Sequence, residues 1–239
     1  MNTGWSFSNI EAIVFDAVGT LLYANPPVSQ VYAQTARQFG SQLGAEEIAR
    51  RFRELLSREW RHDDPVSSES LERERWRRIV ASVLDDVADV SGCFAWLFDY
   101  FGKPDSWRCP PSVVRLLSQL KGAGYRLAMA SNFDARLRRI WKGKLDLEAI
   151  GELFISSEIG WRKPSPMFYS TVIRSLQIEP WRILFVGDEN LNDYDGPRSA
   201  GMRALLVEPC GVAKQDRHRL QGAIGRFELE DLAYLMPLR

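Results

Sequence analysis

The sequence predicts an α/β fold: a parallel sheet flanked by helices, with an all-helical module inserted behind the first strand. Five short apolar runs, Ala12–Phe15, Leu127–Ala130, Leu153–Ile155, Ile183–Val186 and Ala204–Val207, each give way to a polar or glycine-containing turn. Strands buried on both faces of a parallel sheet have this form. In the second half of the chain, helical patterns at Pro166–Leu176 and Gly196–Gly201 stand between the runs. That alternation is the mark of βαβ units and of a Rossmann-like core. From about Tyr23 to Trp107 the pattern changes to helix after helix.

Val28–Phe39 reads as a helix stopped by Gly40, since glycine readily takes the left-handed conformation that ends a helix. Ile48, Phe52, Leu55, Leu56 and Trp60 form one helical stripe. Trp76, Ile79, Val80, Val83, Leu84 and Val87 form a second, and Phe94, Leu97, Phe98 and Phe101 a third. Pro26-Pro27 on one side and Pro104, Pro110 and Pro111 on the other punctuate the module. The expected division is therefore residues 1–22 and 108–239 for the core and 23–107 for the module. In the core, Ser165 before Pro166 predicts an N-cap followed by a first-turn proline. Leu229–Met236 predicts a short helix packed on the core.

The module is rich in arginine: Arg50, Arg51, Arg53, Arg58, Arg61, Arg73, Arg75, Arg77 and Arg78. Glu46, Glu47, Glu54, Glu59, Glu69, Glu72 and Glu74 are interleaved with them, so a solvated face of ion pairs is preferred to an anion site. Its aromatic residues are expected in the core.

The chain's 239 residues suit one large domain, or a core with a smaller insertion. Lys plus Arg and Asp plus Glu both number 31, which excludes a strongly basic nucleic-acid binder on bulk charge. No apolar run approaches the roughly 20 residues of a membrane helix. The first residues, MNTGWSFSNIEAIVFD, lack the basic and apolar regions of a signal peptide. Cys93, Cys109 and Cys210 are odd in number and widely spaced, forming neither a disulfide framework nor a zinc cluster. The expectation is a cytoplasmic protein with reduced thiols and a small-molecule substrate, and with no nucleic-acid or membrane partner.

In an open parallel sheet, ligands bind beyond the carboxyl ends of the strands. The first strand is followed by Asp16-Ala17-Val18-Gly19-Thr20-Leu21, and the second run by Ser131-Asn132. The third leads through Ser156–Arg162 to Lys163-Pro164, and the fourth to Gly187-Asp188-Glu189-Asn190-Leu191-Asn192-Asp193. One such group alone could be a helix cap or a turn residue. Four of them on one sheet edge indicate a reaction centre.

These motifs (Asp-x-x-Gly-Thr-Leu, Ser-Asn, Lys-Pro and Gly-Asp-x-x-x-x-Asp, in that order) resemble the haloacid dehalogenase (HAD) superfamily. The inserted module resembles that superfamily's mobile cap. Ser-Asn-Phe-Asp and Glu-x-Gly-x-x-Lys-Pro are similar to the branch called haloacid dehalogenase-like hydrolase domain-containing protein 3. The resemblance implies that Asp16 is the nucleophile, forming an aspartyl-phosphate that splits one hard step into two. Ser131, the backbone N–H of Asn132 and Thr20 would bind the phosphoryl group, and Lys163 would neutralise it. Mg2+, a hard ion that takes oxygen ligands, would be held by Asp16, the backbone carbonyl of Val18, Asp188 and Asp193. Asp193 could instead orient a metal-bound water or Lys163, and Glu189 could join the metal shell.

Position 18 departs from the phosphatase pattern. There the family's phosphatases place a second Asp, which protonates the leaving oxygen and then activates water. Help of that kind is worth roughly 10²–10⁴-fold, and valine can do neither. Three readings stay open at this point. In the first, a magnesium phosphohydrolase obtains its proton elsewhere, from His62 or a cap acid, or has a leaving group good enough to need none. In the second, the enzyme breaks C–X or C–P bonds. In the third, the fold serves as an inactive binding module. The hinges of the cap are expected near Asn25–Pro27 and Trp107–Pro111, with Tyr23, Asn25 and the first cap helix touching substrate. His62 and His218 read as ordinary surface residues.

Overall fold

Strand β1 (Ala12–Phe15) is apolar throughout and wholly buried, and it lies at the middle of the sheet. In the computed structural model, which describes residues 9–62, 64–208 and 227–236 and only the backbone over 56–62, alternate β1 side chains enter two different cores. Ile13 and Phe15 pack with Leu116, Leu117 and Ile140 on one face, and Ala12 and Val14 with Phe168, Val172 and Leu176 on the other. The two-residue period of a strand makes this division. Burial of each large side chain is worth about 1.5–3 kcal/mol.

A short antiparallel ribbon follows β1: β2 (Tyr23–Ala24) pairs with β3 (Trp107–Arg108). The sheet continues with β4 (Arg126–Ser131), β5 (Glu152–Ile155), β6 (Ile183–Gly187), β7 (Arg203–Glu208) and β8 (Phe227–Glu228). Its spatial order is β5-β4-β1-β6-β7-β8, and every pairing is parallel. The five expected strands are present within a residue at each end. The sixth, β8, is two residues long and carries no periodic signal.

Between β2 and β3 run α1 (Val28–Gln38), α2 (Ala45–His62), α3 (Glu69–Val83) and α4 (Val90–Tyr100). Val31, Ile48, Ile79, Val83, Phe94 and Leu97 form a core of their own, separate from the cores of the sheet. Gly40, at φ +90°, closes the end of α1. The side chains of Ser68 and Asp89 cap α3 and α4 by accepting from Leu71 and Gly92 N–H. Part of the arginine face is the expected solvated set of ion pairs: Arg50 pairs with Glu47 and Glu54, Arg51 with Glu47 and Asp85, and Arg77 with Glu74. Arg75 departs from it, buried in a pair with buried Glu72, and Arg73 lies over the Phe94 and Phe98 rings.

The β2–β3 ribbon joins the two passages between module and sheet. Polar contacts also seat the module on the sheet's rim. Glu69 accepts from Ala135 N (3.0 Å) and from the Ser157 hydroxyl. Arg136 donates to the Phe98 carbonyl at 2.6 Å and lies 3.4 Å above the Phe98 ring centre.

Helices α5 (Pro111–Gly122), α6 (Arg136–Lys142), α7 (Ser156–Ile159), α8 (Pro166–Leu176), α9 (Gly196–Ser199) and α10 (Leu232–Leu235) complete the core. Helix α8 begins as expected, with Ser165 Oγ accepting from Met167 N and Pro166 in the first turn. Helix α10 extends a turn at Leu229–Asp231 and buries Leu229, Leu232 and Met236. Among the described residues no helix is long and apolar enough to cross a membrane. Cys93 and Cys109 are buried free thiols, pushed up to about 11 and about 12 by burial. Cys210, His218 and the side chain of His62 lie outside the described residues.

Candidate active site

The parallel order brings the carboxyl ends of β1, β4, β5 and β6 to one edge. Asp16 is the first residue past β1, and its N–H still bonds the Val186 carbonyl at 2.8 Å, so the strand ladder fixes its backbone. Ser131 is the last residue of β4, and Asp188 the first past β6. Lys163 arrives from the loop behind β5 and α7. The carboxamide of Asn132 clamps its backbone in place, donating from Nδ2 to the Lys163 carbonyl at 2.9 Å and accepting from its N–H at 2.8 Å.

The Lys163 ammonium has three protons and three acceptors within reach. It lies 2.6 Å from Asp16 Oδ1, 2.7 Å from Asp193 Oδ1 and 3.3 Å from the Ala130 carbonyl. Its donor capacity is filled. Asp193 sits in a π-helical turn over Asn190–Asp195, and its Oδ2 accepts from Glu189 N–H at 3.0 Å. Gly187 permits this approach, because a Cβ there would stand 2.4 Å from Asp193 Cγ. Asp188 Oδ1 accepts from the Thr20 hydroxyl at 3.1 Å. Gly19, at φ +98°, lets the β1 loop pass Asp188, where a Cβ would meet the carboxylate at 2.7 Å.

One oxygen each of Asp16, Asp188 and Asp193 lie within 4.8 Å of one another. With Glu189 beside them, four carboxylates face one ammonium, and the excess negative charge raises the proton affinity of the group. Burial, with Asp193 and Asp188 adding to it against the pull of Lys163, pushes Asp16 up to about 8. Burial and the Asp193 charge hold Asp188 and Glu189 up at about 7. Burial would discharge Lys163, but Asp16 and Asp193 outweigh it and keep the ammonium protonated. An all-oxygen donor set with surplus negative charge fits a hard divalent cation such as Mg2+.

A cavity of about 240 Å³ opens over Asp16, Ser131, Asn132, Lys163 and Asp193 and runs beneath the helical module. Val18 lies on its wall with 41% of its surface exposed.

A family model described as haloacid dehalogenase-like hydrolase matches residues 10–201. The chain belongs to this hydrolase family. It is 30% identical to haloacid dehalogenase-like hydrolase domain-containing protein 3 of Homo sapiens, over 95% of this chain and 93% of that protein. It is 31% identical to the glyceraldehyde 3-phosphate phosphatase of Methanothermobacter thermautotrophicus over 54% of this chain and 57% of that one. In fold it is similar to the putative HAD-hydrolase YfnB from Bacillus subtilis bound to magnesium. That match has a TM-score of 0.73 at 16% identity and covers 96% of this chain and 99% of that one.

Six of the residues expected in a HAD site, Asp16, Ser131, Asn132, Lys163, Asp188 and Asp193, lie together at this rim. Thr20 stands elsewhere than expected: it is fully buried, off the cavity wall, and its hydroxyl is spent on Asp188. Tyr23 and Asn25 are also off that wall, and the Tyr23 hydroxyl donates to the Gly19 carbonyl at 2.5 Å, propping the loop that follows β1. From the first module helix, Val28 and Tyr32 do line the cavity. Sequence reasoning missed the Asn132 clamp on Lys163, since the signal for Ser-Asn concerns its backbone N–H. It also missed Trp76, Ile79 and Val80 on the cavity wall, because a helical stripe looks the same whether it faces a core or a pocket.

Proposed function

We propose that this HAD hydrolase is a magnesium-dependent phosphomonoester hydrolase of the cytoplasm, acting on a small phosphorylated metabolite through an aspartyl-phosphate at Asp16. The observation that carries the reading is the convergence of Asp16, Asp188 and Asp193 around the single ammonium of Lys163. Mg2+ bound by Asp16, the Val18 carbonyl, Asp188 and Asp193 (the last directly or through a water) would offset charge on the transferring phosphoryl group.

Asp16 attacks phosphorus, an Asp16 O–P bond forms, and the ester P–O bond breaks with its electron pair on the leaving oxygen. Lys163 holds the nucleophile oriented and balances its charge. The Ser131 hydroxyl and the Asn132 N–H hold the phosphoryl oxygens. Water then attacks the aspartyl-phosphate and releases inorganic phosphate and the Asp16 carboxylate. Ester and water thus give alcohol and phosphate. The module acts as a cap over the site and excludes bulk water while the phosphoryl group transfers. A metal-free attack on carbon is disfavoured, because four clustered carboxylates face the one ammonium of Lys163 and the surplus charge repels itself without a further cation.

Hydrolysis of an activated phosphate ester, with and without Mg2+ and beside Asp16→Asn, tests the reading. Magnesium-stimulated turnover lost in Asp16→Asn is expected. Equal inertness of the two proteins would overturn it, and halide release from a 2-haloacid without metal would favour a dehalogenase.

A further inference from the structure

The cavity above Asp16 has two unlike ends. At the rim stand the carboxylates, Lys163, Ser131 and Asn132. Beneath the module its wall is a run of touching rings: Trp76 stacks on Phe52 (centroids 6.5 Å apart, planes at 20°), Phe52 meets Tyr32 edge-on at 5.5 Å, and Tyr32 meets Phe101 at 6.0 Å. Of the charged groups beside the rings, Arg136 pairs with Asp134, and Arg75 and Arg162 both pair with Glu72. A hydroxyl-rich body seated here would leave water without replacement hydrogen bonds, at a cost of roughly 1–3 kcal/mol per group. A flat apolar body would be favoured and would find ring faces and edges to pack on.

Position 18, on the same wall, bears on the same question from the side of the chemistry. With valine there, the leaving oxygen departs without a proton from that position. A phenol ionises near pH 10, whereas an aliphatic alcohol is nearly as weak an acid as water, at about 16. An arene bonded directly to the ester oxygen meets both conditions: it fits the ring-lined end, and its oxygen leaves as a stable anion. The geometry points to an aryl phosphate monoester as the substrate class, the arene lying against Trp76, Phe52 and Tyr32 and the phosphoryl group at Asp16. This rests on the aspartyl-phosphate reading above. In the first step the Asp16 O–P bond forms, the aryl O–P bond breaks, and the phenolate takes its proton from solvent. In the second, water attacks phosphorus, phosphate leaves, one proton passes to solvent and Asp16 is restored. Valine cannot activate that water, so the second step is slower than the first, and the phenol appears as a burst.

Three probes separate the parts: 1-naphthyl phosphate, glycerol 1-phosphate, and acetyl phosphate, which has a good leaving group and no arene. With Mg2+, 1-naphthyl phosphate is expected to exceed glycerol 1-phosphate in kcat/KM by about 100-fold, combining ring burial with leaving-group acidity. A burst near one naphthol per protein is expected before the steady state. Trp76→Ala should raise KM for the naphthyl ester by about tenfold. Independently of turnover and of any variant, 1-naphthylphosphonate should bind the wild-type protein at least about tenfold more tightly than methylphosphonate. Suppose acetyl phosphate is hydrolysed in an Asp16-dependent manner while the naphthyl ester is no better than the glycerol ester and the two phosphonates bind alike. The aryl class is then overturned and the aspartyl-phosphate reading stands. If none of the three is hydrolysed in an Asp16-dependent manner, both fall.

Discussion

The ammonium of Lys163 lies 2.6 Å from the Oδ1 of Asp16, inside a cluster whose acids outnumber its bases. The lysine is 4% exposed and also meets Asp193 at 2.7 Å, so one side chain restrains two carboxylates that would otherwise repel each other.

Removing that charge should therefore cost stability as well as activity. Lys163→Met leaves Asp16 and Asp193 buried without their counter-ion, a loss of about 3–5 kcal/mol in urea unfolding of the metal-free protein at about pH 9, where Asp16 is ionised. Lys163→Arg should not restore it, because a planar guanidinium cannot direct protons to the three acceptors that the ammonium reaches. A change under about 1 kcal/mol in the methionine variant would show the pair to be incidental.

The surplus acid sets a pH dependence with a definite sign. Asp188 and Glu189 are held up at about 7 and Asp16 at about 8 in the folded chain, against ordinary values near 4. The native state thus binds more protons than the unfolded one. The stability these groups contribute is present below about pH 4 and is lost as pH rises through 7 to 8. Thermal unfolding of the metal-free protein should show this decline, superimposed on the titration of the rest of the chain. Mg2+ should recover more stability at pH 8 than at pH 5, where it competes with protons. Equal magnesium shifts at the two pH values would contradict the account.

Gly187 and Gly44 make a matched pair of substitutions. A Cβ on Gly187 would stand 2.4 Å from Asp193 Cγ, whereas one on Gly44 meets nothing within 4 Å. Gly187→Ala should displace Asp193 and lower Mg2+ affinity by about 10–100-fold, as loss of a supporting contact does at metal sites. Gly44→Ala should leave that affinity unchanged. Calorimetric titration with Mg2+ makes the comparison, and indistinguishable affinities in the two variants would remove Asp193 from the site.

Val18 is 41% exposed on the cavity wall, so an aspartate there need not be buried. Val18→Asp should raise turnover of an alkyl phosphate by roughly 10²–10⁴-fold by supplying the missing acid and base. The gain should be smaller for an aryl ester, whose oxygen leaves without help. Steady-state rates on the two ester types check this, and unchanged or lower turnover of both would refute the role given to position 18.

Much of this architecture is legible in the sequence because its signals are local. Ala12–Phe15 is apolar at every position because both faces of the strand are covered, and Ser165-Pro166 starts α8 by its own hydrogen bond. Asp16, Ser131, Lys163 and Asp188 were readable as one site because chain order and the parallel-sheet rule send strand ends to one rim. What escaped depends on contacts distant in sequence. Asn132 grips the Lys163 backbone across 31 positions, Thr20 reaches Asp188 across 168, and β2 pairs with β3 around the whole module. Helix α6 is only 7 residues long and so leaves little periodic signal, yet it carries Arg136 to the cavity.

The central claim, that Asp16 carries the phosphoryl group, is tested most directly by trapping it. Wild-type protein with Mg2+ and a ³²P-labelled aryl phosphate, quenched in acid within the burst, should yield label on the peptide containing Asp16 and none in Asp16→Asn. Hydrolysis that persists at the wild-type rate in Asp16→Asn, with no label on that peptide, would contradict it.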